Sequence, residues 1–468
     1  MSMPRLSRAL SSCCVGLSLL TILAGCEYVR PTLNAPLKQW ERNGGYRFSN
    51  LAPGGEDNSD SLFILATFSG GGSRASTLAF GALRELARQQ ITWEGKTKRL
   101  LDELDGISAL SGGTFTAGYY ALNGDQIFHD FESRFLRKDW EAELRSRILR
   151  SPSNWIRLWS PYFGRTHIMA ELLDEALFEG KTYGDLLRRQ RRPYLTIHAT
   201  DMATLSRFEF VQSEFDWLCS DLVQLPIARA SASSAALPLA LSPISFKNYA
   251  GTCGFEVPTA AIESARKRGG TGAQRAKEYV SYLDTKKRGY IHLLDGGLSD
   301  NMALRALLEG STVVGGLDKL LQYWRVKNVR KFVVLAVNAE TDPDVTDFGG
   351  DQIPNLFKSM NSLIDVPINR YSADSIQLMR LGAKMVREEL RKLPRPADSP
   401  FAEDAEIYFV NVSFSEIADA NERESLMRIP TTLYLTDGQI DRLLLAAARL
   451  IQHDPEFQRL MQDIETGQ

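Results

Sequence analysis

Residues 61–74 read SLFILATFSGGGSR. The run from Ser61 to Phe68 carries no charge and is aliphatic or aromatic at nearly every position, the pattern of a strand buried on both faces. Three glycines, Gly70, Gly71 and Gly72, end it. From Arg74 to Gln90, Leu78, Phe80, Leu83 and Leu86 then recur at near-helical spacing. Strand, tight turn, helix is the junction at which α/β enzymes present catalytic groups. The same succession comes twice more. Leu104 to Leu110 runs into Ser111, Gly112 and Gly113 and a helical Thr114–Leu122, and Tyr290 to Leu294 runs into Asp295, Gly296 and Gly297.

Working outward, Tyr194–Ala199, Arg207–Val211, Lys331–Asn338 and Glu406–Val412 also read as strands. Residues 126–190 read as mainly helical, and Ile227–Ala240 is rich in small residues. Strands alternating with helices imply an α/β sandwich around a mostly parallel sheet, with 126–190 as a helical insertion. The chain has 468 residues, 44% hydrophobic and 24% charged, with a net charge of −2, ordinary values for a globular protein. No block of Lys or Arg of the kind that grips phosphate backbones is present, so no nucleic-acid partner is expected. No Cys/His cluster has metal-ligand spacing, and the acidic stretch Asp342, Asp344, Asp347, Asp351 lacks the spacing of a calcium loop, so neither metal nor cofactor is expected.

The three turns carry complementary chemistry. A nucleophile on a sharp strand-to-helix turn needs small neighbours two positions away on either side, and Ser111 has Ala109 and Gly113. Ser108 has the bulky Leu110 at that position and is the weaker candidate; the plainer role for Ser111 is a helix cap. Consecutive glycines after a buried strand let main-chain N–H groups face a cavity, reinforced by the positive end of the following helix. Gly70, Gly71, Gly72 and Gly112 are therefore candidate oxyanion-hole donors. The glycine run has neither the spacing nor the lysine of a phosphate loop. Asp295 is the candidate base, since burial beside Ser111 raises a carboxylate pKa towards a useful value. Arg74, with its fork of donors, is a candidate for an anionic head group or a surface residue. His129, His167, His198, His292 and His453 are the only histidines, and none lies in a triad-like context; His198 and His292, on strands, read as core residues. That favours a Ser–Asp dyad over a Ser–His–Asp triad.

Gly-Gly-Gly-x-Arg, then a serine elbow, then Asp-Gly-Gly, resembles the patatin-like phospholipases and the related cytosolic phospholipase A catalytic domain. Ala199 to Thr204 and Ala230 to Pro238 also match, and the resemblance spans residues 60 to about 310 with its parts in family order. One position departs, since Ala109 stands where the family has the first glycine of G-x-S-x-G. The resemblance implies a three-layer α/β sandwich and lipid acyl hydrolysis through an acyl-enzyme. It implies Ser111 as nucleophile, Asp295 as base and the glycine loop as oxyanion hole.

The N-terminus reads as a targeting segment. Arg5 and Arg8 precede an apolar run from Cys13 to Ala24 that is short for a membrane span, and Leu23-Ala24-Gly25-Cys26 resembles the lipobox of bacterial lipoproteins. Residues 1–25 are then a signal peptide and Cys26 the lipidated residue. Residues 26–60 are expected to be a polar connector standing off the membrane. Residues 61–468 are the catalytic domain, with a core at 61–310 and a C-terminal sheet and helical extension at 311–468. Glu27 follows the cysteine, which by resemblance to the lipoprotein sorting rule suggests a lipid-anchored place at the outer membrane, with membrane lipids as anchor and substrate. Export permits a Cys219–Cys253 disulfide, and two unlinked thiols are equally compatible with the sequence. The aromatic run Trp155 to Phe163 reads as core, or as a lid or interfacial patch. Two other functions use the same residues: a non-catalytic membrane-tethered binding module, and an acyltransferase differing only in its acceptor.

Overall fold

The computed structural model describes residues 28–52, 58–342, 349–392 and 394–467. The signal segment with Cys26, the turn Pro53–Gly55, and Asp344 and Asp347 lie outside the described residues. Eight strands form one sheet: β1 (Leu62–Phe68), β2 (Leu104–Leu110), β3 (Tyr194–Asp201), β4 (Ser206–Glu209), β5 (Ile244–Lys247), β6 (Tyr290–Asp295), β7 (Val329–Asn338) and β8 (Phe401–Ser413). Their order is β8-β7-β1-β2-β3-β6-β5, with β4 paired to β3. From β8 to β3 every pairing is parallel, while β4, β5 and β6 pair antiparallel.

Side chains alternate across the sheet, as strand geometry requires. Leu62, Ile64, Ala66 and Phe68 of β1 enter one apolar cluster with Val333, Leu335 and Val337 of β7. Phe63 enters a second cluster with Phe332, Val334 and Ala336. Helices α1 (Gly72–Arg88), α2 (Gly113–Asn123) and α3 (Ile227–Ser234) cover the first face. Helices α4 (Leu317–Trp324) and α5 (Leu356–Lys392) lie over the second, and α6 (Asp437–His453) packs with α1 on the first. The result is the expected three-layer sandwich, and β1, buried on both faces, shows why its sequence has no polar alternation. Residues 126–190 are helical, as expected.

Two expectations change. The stretch 28–52 is not a free connector: Leu37 and Trp40 donate main-chain bonds to Cys219 and Cys253, Tyr46 is fully buried and Phe48 joins the second cluster. Its aromatic residues outweigh its polar composition, because each hides enough apolar surface to hold the segment down. Beyond residue 310 the expected strands are present, with β7 and β8 continuing the parallel sheet. His292 sits on β6 as expected but is exposed, with Nδ1 2.8 Å from the Ser245 hydroxyl. Cys219 and Cys253 are disulfide-bonded.

Candidate active site

Ser111 follows β2 directly and is one of few non-glycine residues in the left-handed region, at φ 46°. That conformation costs about 1–2 kcal/mol for an L-residue and turns the side chain off the strand end. Its close neighbours must be glycine. A Cβ on Gly112 would lie 2.1 Å from the Gly72 carbonyl oxygen, and one on Gly113 would lie 2.7 Å from that of Ser69. The elbow therefore packs backbone to backbone against the glycine loop after β1, and α1 and α2 both begin there.

Asp295 reaches Ser111 through the strand topology. His198 pairs with both Leu110 and Glu209, and Ala199 pairs with both Phe208 and Asp295. Since β4 holds one edge of β3 from His198 to Asp201, β6 takes over the other edge where β2 stops. The end of β6 thus meets the end of β2, and the Ser111 hydroxyl donates to Asp295 Oδ2 at 2.9 Å. Oδ1 accepts from the Gly297 N–H at 2.8 Å. Asp295 is only 5% exposed, and burial pushes its carboxyl up to about 6 against the two hydrogen bonds, with no cation to offset it.

Residues without an obvious sequence signal hold this pair. Ser234, at the end of α3, accepts the Ser111 N–H on its hydroxyl at 2.7 Å and the Gly296 N–H on its carbonyl at 3.0 Å, so it ties both turns together. The Asp295 N–H donates to the Ala236 carbonyl, and the Thr200 hydroxyl donates to the Asp295 carbonyl at 2.8 Å. The sequence traces of this clamp are the small residues over 227–240 and the family-like stretches Ala199–Thr204 and Ala230–Pro238; the side chains of larger residues could not enter so tight a corner.

The candidate oxyanion donors divide. Gly70 gives its N–H to the Asn301 carbonyl at 3.3 Å. The N–H groups of Gly71, Gly72 and Gly112 have no protein acceptor among the described residues, which leaves them able to receive a developing oxyanion. Gly71 and Gly72 take φ 135° and 58°, and a Cβ on Gly72 would strike the Thr432 carbonyl at 2.3 Å.

Arg74 departs from its expected place. It is 2% exposed, and its guanidinium donates to the carbonyls of Ala339 and Ile429 and to the Thr431 hydroxyl. Each guanidinium nitrogen donates to a protein acceptor and the side chain is buried, so it is not presented to a lipid head group. Burial without a carboxylate partner lowers its pKa to about 10. Together with the Ser73 N–H bonded to the Thr432 carbonyl, it clamps the glycine loop to the C-terminal segment.

The rival serine sits elsewhere. Ser108 lies within β2 and lines a cavity of about 900 Å³ on the second sheet face, with Thr196, Arg207, Tyr279 and Trp324, which does not reach Ser111. Its hydroxyl is 2.6 Å from His198 Nε2, and burial pushes that imidazole down to about 3, so it is neutral. Among the described residues no group of His, Cys, Asp and Glu is placed to hold a metal ion, and no helix is long and apolar enough to cross a membrane.

Fold and site together define an α/β three-layer sandwich with a serine on a strand-to-helix elbow, hydrogen-bonded to a buried aspartate. The chain belongs to the patatin-like phospholipase family, whose model matches residues 66–308. No match is found among curated proteins. Among solved structures it is similar to human GIVD cytosolic phospholipase A2, at 13% identity and a TM-score of 0.42 over 87% of this chain. The chain spans 63% of the length of that structure. It is also similar to VipD from Legionella pneumophila, at 13% identity and a TM-score of 0.28, over 91% of this chain and 73% of that one.

Proposed function

We propose that this protein is a lipid acyl hydrolase that works through a Ser111–Asp295 dyad and is held at a bacterial membrane by acylated Cys26. The observation that carries the reading is the 2.9 Å hydrogen bond from the Ser111 hydroxyl to a buried carboxylate whose pKa is raised to about 6. Such a carboxylate is ionised at neutral pH yet far more basic than an exposed one. Asp295 takes the hydroxyl proton as Ser111 Oγ attacks the ester carbonyl carbon. The tetrahedral oxyanion is received by the free N–H groups of Gly71, Gly72 and Gly112 and by the positive ends of α1 and α2. The C–O bond to the alcohol then breaks, Asp295 returns the proton to the leaving oxygen, and an acyl-serine remains. Water, deprotonated by Asp295, releases the fatty acid and restores Ser111.

Family membership supports lipid as the substrate class. The test is release of free fatty acid from phospholipid vesicles by purified protein, with Ser111→Ala alongside. The reading requires release by the wild type and background levels from the variant; equal release by both defeats it.

A further inference from the structure

We propose that the face formed by helix Pro152–Leu158 and the turn to Phe163, with Tyr28 beside it, docks onto a phospholipid bilayer and sets the candidate site towards it. This rests on the reading of Cys26 as the acylated residue. Phe163 is buried in the core, but the rest of the aromatic run is not. Trp159 is 84% exposed, Ile156 71%, and Leu149, Trp155 and Tyr162 are exposed beside them. Indole and phenol rings favour the boundary between water and lipid, where an apolar body and a polar tip are both accommodated.

The place where the chain enters the described structure fixes the occupant. Tyr28 packs edge-on against Tyr162, the Arg30 guanidinium lies 3.9 Å from the centre of the same ring, and the Ser160 hydroxyl donates to the Val29 carbonyl at 2.6 Å. Cys26 precedes Tyr28 by two residues, a reach of at most ~7 Å. A lipid on Cys26 therefore brings a bilayer to this patch and leaves no slack to hold it away. Of the five arginines from Leu144 to Thr166, Arg145, Arg147 and Arg157 are paired with Glu141, Glu143, Glu175 and Glu171, which leaves Arg150 and Arg165 as the cations of this face. Among the described residues Arg150 makes no ion pair, and Arg165 spends its bond on the Leu239 carbonyl. Free cations beside exposed indoles suit anionic phospholipid head groups.

The same face lies at the end of the sheet that holds the dyad. Ile244 of β5 pairs with Leu293 of β6, two residues before Asp295, so the start of β5 is at the dyad's end. Thr166 hydrogen-bonds Ser242 just before that start, which seats the patch there. The N-terminal segment runs along β5 towards the same end, with Asn34 bonded to Lys247 and Arg229 bridging the carbonyls of Thr32 and Ser245. Tyr28, the aromatic face and Ser111 therefore share one end of the molecule.

The test uses the full lipid-anchored chain reconstituted into vesicles of phosphatidylethanolamine and phosphatidylglycerol, with and without brominated acyl chains that quench indole fluorescence on contact. The wild type should be quenched by bromine. Trp155→Ser/Trp159→Ser should lose most of that quenching, and its release of fatty acid from the vesicles should fall on the order of tenfold for each indole kept in water. Its hydrolysis of a short-chain ester in solution should be unchanged. Arg150→Glu, at an exposed position, should weaken turnover on vesicles with phosphatidylglycerol and not on neutral ones. Unaltered quenching and vesicle turnover in the double variant would overturn the proposal, as would a double variant that changes only self-association. If no ester is hydrolysed by any form, the hydrolase reading fails while quenching still reports docking.

Discussion

Replacing Asp295 by Asn should abolish ester hydrolysis and at the same time make the protein more stable. Folding buries the carboxylate with only two neutral donors, so its pKa rises from 3.8 to about 6. A folded-state pKa above the unfolded value means that the protonated form is favoured in the fold. The group's contribution is fully present below pH 3.8 and is lost as pH rises through about 6. At pH 8 the ionised carboxylate costs ~3 kcal/mol relative to a group that never ionises, and at pH 4 only ~0.5 kcal/mol. Asn keeps an oxygen for the Gly297 N–H, and the Ser111 hydroxyl can turn to accept from its amide, so little else changes. Thermal unfolding of both proteins at pH 8 should place Asp295→Asn several degrees above wild type, with the gap nearly closed at pH 4. Wild type more stable than the variant at pH 8, or a gap independent of pH, would refute the buried, unpaired carboxylate on which the base assignment rests.

In the wild type, kcat/KM for a soluble ester should fall as pH drops below about 6, since the base must be ionised; a flat profile down to pH 4.5 would count against Asp295. Substituting each of the five histidines singly should leave most activity, and one as inactive as Asp295→Asn would restore a triad. Ser234→Ala removes the acceptor of the Ser111 N–H and should lower kcat by tenfold or more with KM little changed, for a loss of about 1–3 kcal/mol; an unchanged kcat would remove Ser234 from the clamp. Gly112→Ala meets the Gly72 carbonyl at 2.1 Å and should cost ~3 kcal/mol or more of stability, read by denaturant unfolding. Loss of the Cys219–Cys253 bond in a double serine variant should cost ~3–4 kcal/mol for a 34-residue separation, and unfolding midpoints identical to wild type would contradict a formed bridge.

Much of the scaffold was legible because its signals are local. An uncharged run such as SLFILATF is unlike an amphipathic helix, and glycine triplets stop a strand wherever they fall. The turn at Ser111 was legible from its small neighbours Ala109 and Gly113, and the structure leaves Gly113 no room for a side chain. The supports were not, because they are long-range hydrogen bonds. Ser234 and Thr200 fall in stretches that resemble the family, but they act across 123 and 95 residues of chain, and no local pattern gives their partners. Arg74 misled for the same reason: its acceptors at Ala339, Ile429 and Thr431 lie beyond the motif that drew attention to it. The stretch from Tyr28 to Ala52 misled through its composition, where Pro, Gly and Asn mask the few aromatic residues that dock it. The β5 strand, only four residues long, was too short to show a periodicity and emerged only with the tertiary packing.

The central claim, that Ser111 is the nucleophile of an acyl hydrolase, is tested most directly by fluorophosphonate labelling of the purified protein followed by mass-spectrometric mapping of the modified residue. The account predicts a single adduct on Ser111, absent from Ser111→Ala and retained in Ser108→Ala. An adduct on Ser108, or labelling that survives Ser111→Ala, would contradict it.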